Sequence, residues 1–271
     1  MSGLPVLGSS APWAGGWHSP NVVCVLAPNP GPMTLDGTNT WVLRVEDAPA
    51  IVVDPGPDDA THLAAVIEAA GRVAHILLTH AHPDHAEGAR RLHAMTGAPV
   101  RALDSREVLG GEGLRSGDVV AAADLEVHVT ATPGHTSDSM SFHVPSESAI
   151  LTGDTVLGRG TAVVAWPDGH LGAYLESLEA LRERAAATGA ASLLPGHGPT
   201  LGDPVGVIDD YLEHRRERLR QVREAWDSGA RTPEEVVAVV YADAPEAVRW
   251  AALLSTRAQL EYLAGRSAES G

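Results

Sequence analysis

Three histidines and an aspartate crowd into six residues, HAHPDH at 80–85, directly after the apolar run VAHILLT. Folding alone gives a buried strand no reason to end this way. Imidazoles and a carboxylate packed together lose hydration and repel unless a cation gathers them. A helix N-terminus capped by Asp84, with the histidines in a polar core, is the plainer alternative. Caps, however, need one such residue and not four. The motif asks for metal, and for further ligands from elsewhere in the chain.

Three other loops offer them. ATPGHTSDS puts His135 just after a strand, with Gly134 permitting a tight turn. ILTGDTV does the same for Asp154, and LLPGHGP for His197. Strand ends fix a ligand's position while leaving solvent a path to the ion. His80 and His82, two apart in an extended segment, project the same way and can share one ion with His135. Asp84 and His85 open the following helix and can reach a second ion with His197. A carboxylate can bridge two cations where an imidazole cannot, which makes Asp154 the bridge; ions in such two-metal sites lie roughly 3.5–4 Å apart. Nitrogen and oxygen donors without a thiolate suit Zn²⁺, and Fe or Mn fits the same set. The other eight histidines (18, 62, 75, 93, 128, 143, 170 and 214) lack partner motifs and read as surface or structural.

Short β-rich runs and turn punctuation fill the first two-thirds of the chain. NVVCVLA (21–27), NTWVLRV (39–45), AIVVD (50–54), VAHILLTH (73–80) and APVRAL (98–103) form one block of strands. DVVAAADLEVHVTATPG (118–134), SMSFHV (139–144), AILTGD (149–154) and ASLLPGHG (191–198) form a second. Helices are expected over 59–71, with Asp59 as N-cap and Gly71 as the stop, over Asp84 to Met95, and over 170–189. Two strand blocks, each followed by helices, predict an α/β (α+β) fold with two packed sheets and helices outside, an αββα sandwich. After Gly206 the pattern turns helical. Ile208, Leu212, Leu219, Val222 and Trp226 make an apolar stripe broken only by Arg215, and TPEE at 232–235 is a capping box. The division expected is therefore a catalytic domain over 1–205 and a small helical domain over 206–271.

The net charge of -16, with arginine as the only strong base, disfavours long-range attraction to nucleic acid or anionic membranes. A single cysteine, Cys24, excludes an internal disulfide and any cysteine-based structural zinc site. No run approaches the roughly 18 apolar residues that span a bilayer. The N-terminus MSGLPVLGSSAPWAGGW has neither a basic segment nor a continuous apolar core. A cytoplasmic protein is the expectation.

The ligand set resembles that of the metallo-β-lactamase superfamily. HAHPDH matches its H-x-H-x-D-H signature, and His135, Asp154 and His197 follow in its order, over residues 20–200. LDGTNTWVL, TPGHTSDS, GHGP and the tail from YLEHRRERLRQV are similar to the β-lactamase-like protein 2 group, whose members append a winged-helix-like domain. The resemblance implies a four-layer αββα sandwich and a hydrolase with two divalent ions and a metal-bridging hydroxide. It implies that Asp84 orients that hydroxide and takes its proton, and that Asp54, at another strand end, holds a ligand histidine by hydrogen bond. Arg159 and Thr161, shortly after Asp154, are pocket candidates on position alone.

The cage does not choose its substrate. A small ester, thioester or lactone is the first expectation. Single-stranded RNA is the second, on Arg216, Arg220 and Arg223 along one helical face, although Glu213, Glu217 and Glu224 sit ready to neutralise them. A nucleic-acid-binding protein with a vestigial site is the third, and an intact ligand set argues against it. The helical domain, whose last helix offers Arg257, Gln259 and Glu261 and whose GRSAESG end is too short for much of a wing, is expected to avoid duplex DNA, and no membrane partner is expected. It is expected to shape the active-site rim or a homo-oligomer interface.

Overall fold

The computed structural model describes residues 12–269; the start of the stretch read for an export signal and the last two residues of the tail lie outside that range. The first sheet runs, in spatial order, β1 (Gly16–Ser19), β2 (Val22–Leu26), β3 (Asn39–Leu43), β4 (Ala50–Val53), β5 (Val73–Leu77) and β6 (Val100–Arg101). β1 to β4 pair antiparallel, while β4, β5 and β6 are parallel and need crossovers. These are α1 (Ala60–Ala70), then α2 (Pro83–Ala86) and α3 (Ala89–Thr96). The second sheet holds β7 (Val119–Ala122), β8 (Leu125–Ala131), β9 (Met140–Val144), β10 (Ala149–Gly153), β11 (Ser192–Pro195) and β12 (Leu201–Gly202), again as spatial neighbours. Its one parallel pair, β10 with β11, is joined through α4 (Leu171–Thr188).

The period-two alternation of strand side chains builds the layers. Val22, Cys24, Trp41, Leu43, Ile51, Val53 and Leu77 face inward and meet Val127, Val129, Phe142, Leu151 and Leu194 of the other sheet. The opposite phase, Val23, Val42, Val52 and Ile76, is covered by Leu63 and Val66 of α1 and Leu92 of α3. On the far side Ile150 and Leu193 are covered by Tyr174, Leu178 and Leu181 of α4, together with Ile208, Tyr211 and Leu212. The four layers are those of an αββα sandwich.

The last three residues of that outer cluster belong to α5 (Pro204–Asp227), which is followed by α6 (Pro233–Val240) and α7 (Arg249–Glu269). Burying Ile208 and Leu212 contributes about 1.5–3 kcal/mol each, which fastens the helical region onto the second sheet. Thr232 caps α6, its Oγ1 accepting from the Glu235 N–H at 3.2 Å. Among the described residues no strand follows β12, so the helices carry no β-hairpin wing. No helix of the described residues is long and apolar enough to cross a membrane.

Four local expectations change. The helix foreseen over Asp84–Met95 is two helices, because Gly88 donates its N–H to the Gly56 carbonyl (2.8 Å) and the chain must break to reach it. A Cβ at Gly88 would lie 2.9 Å from the Pro57 carbonyl oxygen, so only glycine permits this approach. Within APVRAL only Val100 and Arg101 pair as strand. Arg215 does not break the α5 stripe but joins it: buried, it stacks over the Tyr174 ring at 4.8 Å and donates to the Ala162 carbonyl. Trp226, at the end of that stripe, is not covered like the rest and stays 38% exposed.

Candidate metal centre

All seven ligand candidates lie just beyond strand ends, at one end of the sandwich. His80 and His82 follow β5, and Asp84 and His85 sit in α2; His135, Asp154 and His197 follow β8, β10 and β11. Gly134 makes the His135 turn possible: with φ of 138°, its missing Cβ would stand 2.3 Å from the Tyr174 Cα. Asp84 caps nothing. His82 occupies the N-cap position of α2 without a side-chain cap bond, so the capping alternative finds no support.

The side chains form two linked groups. His82 Nδ1 lies 3.0 Å from His80 Nε2 and 3.2 Å from His135 Nε2. His197 Nε2 lies 3.2 Å from both His85 Nε2 and Asp84 Oδ2. Asp154 stands between them, with Oδ1 3.4 Å from His85 Nε2 and Oδ2 3.4 Å from His197 Nε2 and 3.7 Å from His135 Nε2. Tetrahedral Zn²⁺ with Zn–N of ~2.0–2.1 Å has ligand–ligand edges of roughly 3.3 Å. The donor spacings fall around that value.

Counting protons sharpens the point. His135 Nδ1 donates to the Val163 carbonyl (2.7 Å) and His197 Nδ1 to the Gly37 carbonyl (3.1 Å). The Thr79 hydroxyl gives its one proton to Asp54 Oδ2 (2.7 Å), so its oxygen accepts from His80 Nδ1 (3.0 Å). His80 and His135 thus turn bare Nε2 lone pairs toward His82, whose Nδ1 carries at most one proton to offer them. Burial, the largest influence, keeps both rings below the usual histidine range and therefore neutral. Asp154 Oδ1 is buried with no hydrogen-bond partner. Converging lone pairs and an orphaned carboxylate oxygen fit a cation.

The second group draws positive charge strongly. Burial alone would lower the His85 pKa, but Asp154, Asp54 and Asp84 overcome it and raise it well above the usual value. His197 likewise resists burial through Asp154 and Asp84 and reaches about 9. Asp84 is drawn down to about 2, as His85 and His197 outweigh its own desolvation. A divalent ion entering here displaces protons from groups whose pKa is raised, so binding strengthens as pH rises toward about 9. Apparent metal affinity is expected to grow at least about tenfold per pH unit from 7 to 9. Competition against a chromophoric chelator of known proton dependence measures it, and a flat profile would contradict the charge balance described.

Asp54, buried at the end of β4, accepts from His85 Nδ1 at 2.9 Å and from the Thr79 N–H and hydroxyl at 2.7 Å each. Asp84 is the most open of the three carboxylates, its side chain 29% exposed. Arg159 forms an ion pair with Asp36, and Thr161 is half-buried two residues on. The eight remaining histidines join none of the metal-competent clusters among the described residues. His170 caps α4, His93 bonds the Ala98 carbonyl, and His62 meets the Thr40 hydroxyl.

Thr79 and Asn39 were missed by sequence reasoning. Asn39 is fully buried; its Nδ2 donates to the carbonyls of Pro195 (2.9 Å) and Gly198 (2.8 Å), pinning the His197 turn. It shares the inward phase of β3 with Trp41 and Leu43, and a polar residue in that phase was the available signal.

An αββα sandwich with a histidine–aspartate cage at its rim is the plan of a metal-dependent hydrolase. The chain belongs to the metallo-beta-lactamase superfamily, whose sequence model matches residues 33–197 and so spans the whole cage. It is 33% identical to the "Beta-lactamase-like protein 2 homolog" of Caenorhabditis elegans, over 89% of this chain and 83% of that one. It is 31% identical to the "Lactamase-like protein adaB" of Aspergillus niger, over 85% and 76%. In fold it is similar to a beta-lactamase domain protein from Burkholderia ambifaria, with TM-score 0.77 and 22% identity over 94% of this chain and 90% of that one. A metallo-beta-lactamase family protein from Thermus thermophilus gives TM-score 0.69 and 23% identity over 92% and 95%.

Proposed function

We propose that the chain is a dinuclear hydrolase, with Zn²⁺ as the favoured ion, acting on a small ester, thioester or lactone. The observation that carries this is the pair of donor groups, His80–His82–His135 and Asp84–His85–His197, with Asp154 reaching toward both. Two ions held there would supply Lewis acidity to the carbonyl and to the water beside Asp84 near neutral pH. Asp84, ionised and partly open to solvent, orients the attacking water and takes its proton. Asp54 holds the His85 ring, and the Val163 and Gly37 carbonyls hold His135 and His197.

The surface favours a small substrate over RNA. On α5, Arg216 pairs with Glu179 at 3.8 Å, and Arg220 pairs with Glu213 and Glu217, so two of the three arginines on that face are paired. On α7, Arg257 pairs with Glu234 at 3.4 Å and Gln259 is buried, which weakens the case for that helix reading a duplex.

A paired assay tests the reading. Zinc-loaded protein is offered thioester and lactone substrates beside a labelled single-stranded RNA, with Asp84→Asn as the blank. Turnover of a small substrate that is lost in the blank and on chelation is expected. RNA cleavage lost in the blank, without small-substrate turnover, would replace this proposal with the nuclease.

A further inference from the structure

His197 is the second group's ligand from β11, and its turn is gripped from two sides. From one side comes the loop between β2 and β3: the Gly37 carbonyl accepts from His197 Nδ1 at 3.1 Å, and Thr38 forms an isolated β-bridge with His197. From the other comes the loop after β10, where the Gly158 N–H donates to the His197 carbonyl at 2.8 Å. Gly198 lies between the loops, with Leu35 on one side and Arg159 on the other.

Both loops are irregular and reach the turn from different sheets. One ion pair ties them together. Asp36 is the residue before Gly37, and Arg159 is the residue after Gly158. Their side chains meet across 123 residues of sequence, each only 20% exposed. The charges therefore flank the two backbone groups that hold the ligand. We infer that the Asp36–Arg159 pair is a latch that positions His197, keeping the Gly37 carbonyl on its Nδ1 and its Nε2 toward Asp84 and Asp154.

The pair stands beside the backbone groups that hold His197, so these are positioning residues. A hydrogen bond to the outer nitrogen fixes a ligating imidazole's tautomer and orientation, and losing such a partner typically weakens metal binding about 10–100-fold. The His197 group depends on the latch most directly. His80 is held by Thr79, outside both loops, while the Val163 carbonyl that holds His135 lies four residues beyond Arg159, in the loop after β10.

Resting on the two-ion reading, the test titrates Zn²⁺ into wild type, Asp36→Ala, Arg159→Ala and the exchanged pair Asp36→Arg/Arg159→Asp. Each single variant is expected to weaken one of two binding steps by about tenfold or more, affect the other less, and recover in the exchanged pair. Asp36→Asn substitutes for Asp36→Ala if thermal melting shows the latter unfolded. Exchange of the His197 Nδ1–H, followed by NMR in zinc-loaded protein, gives a second readout and is expected to quicken at least about tenfold in the single variants. Wild type taking up a single ion would remove the dinuclear reading while leaving this exchange measurement to decide the latch. Unchanged binding and unchanged exchange, or equal weakening of both steps, would overturn the latch.

Discussion

Asp84→Asn is expected to keep the fold and lower kcat by about 10²–10⁴-fold. The carboxylate stands 3.2 Å from His197 Nε2 and 3.4 Å from His85 Nε2, and these rings hold it ionised down to about 2. An amide of the same shape accepts no proton and is a poor metal ligand, so the loss falls on both functions assigned to Asp84. The comparison is His93→Ala, in α3 close by in sequence but bonded to the Ala98 carbonyl, which should stay within about twofold of wild type. Steady-state kinetics on the substrate found, with metal content measured on the same samples, separates proton transfer from ion loss. Equal behaviour of the two variants would deny Asp84 its role.

The second large effect is on stability. Asp54 is 1% exposed and satisfies three buried donors: the Thr79 N–H, the Thr79 hydroxyl and His85 Nδ1. It also sits at φ 52°, a left-handed conformation that only a few non-glycine residues adopt. Asp54→Ala strands those donors without water. Each orphaned donor costs about 1–3 kcal/mol, and shared relaxation keeps the sum below simple addition. A loss of about 3–5 kcal/mol is expected, a large part of the roughly 5–15 kcal/mol that holds a domain folded. Urea unfolding followed by circular dichroism reads it directly. A loss under about 1 kcal/mol would mean that Thr79 and His85 find other partners.

What could be read from the chain follows from how local each signal is. HAHPDH declares itself because its donors are adjacent, and Asp59 and Gly71 mark α1 because caps act over one turn. His135, Asp154 and His197 were legible as loop residues after apolar runs, and the structure brings them to one cage. Gly88 was not legible as a break, because the Gly56 carbonyl it meets comes from a distant segment. Arg215 looked like a flaw in an apolar stripe, since only the folded chain lays it over Tyr174. The Asp36–Arg159 pairing was equally hidden, with two ordinary charged residues meeting only when both sheets are in place.

The division of the cage between the sheets has a consequence for cohesion. His80, His82, Asp84 and His85 are delivered by the first sheet, and His135, Asp154 and His197 by the second. An ion bound by donors from both sides would be a cross-link as well as a source of the proposed chemistry, because its release would loosen the seam between the sheets. Occupancy and closure of the sandwich then draw on the same free energy. Metal content would thus set how firmly the two halves join.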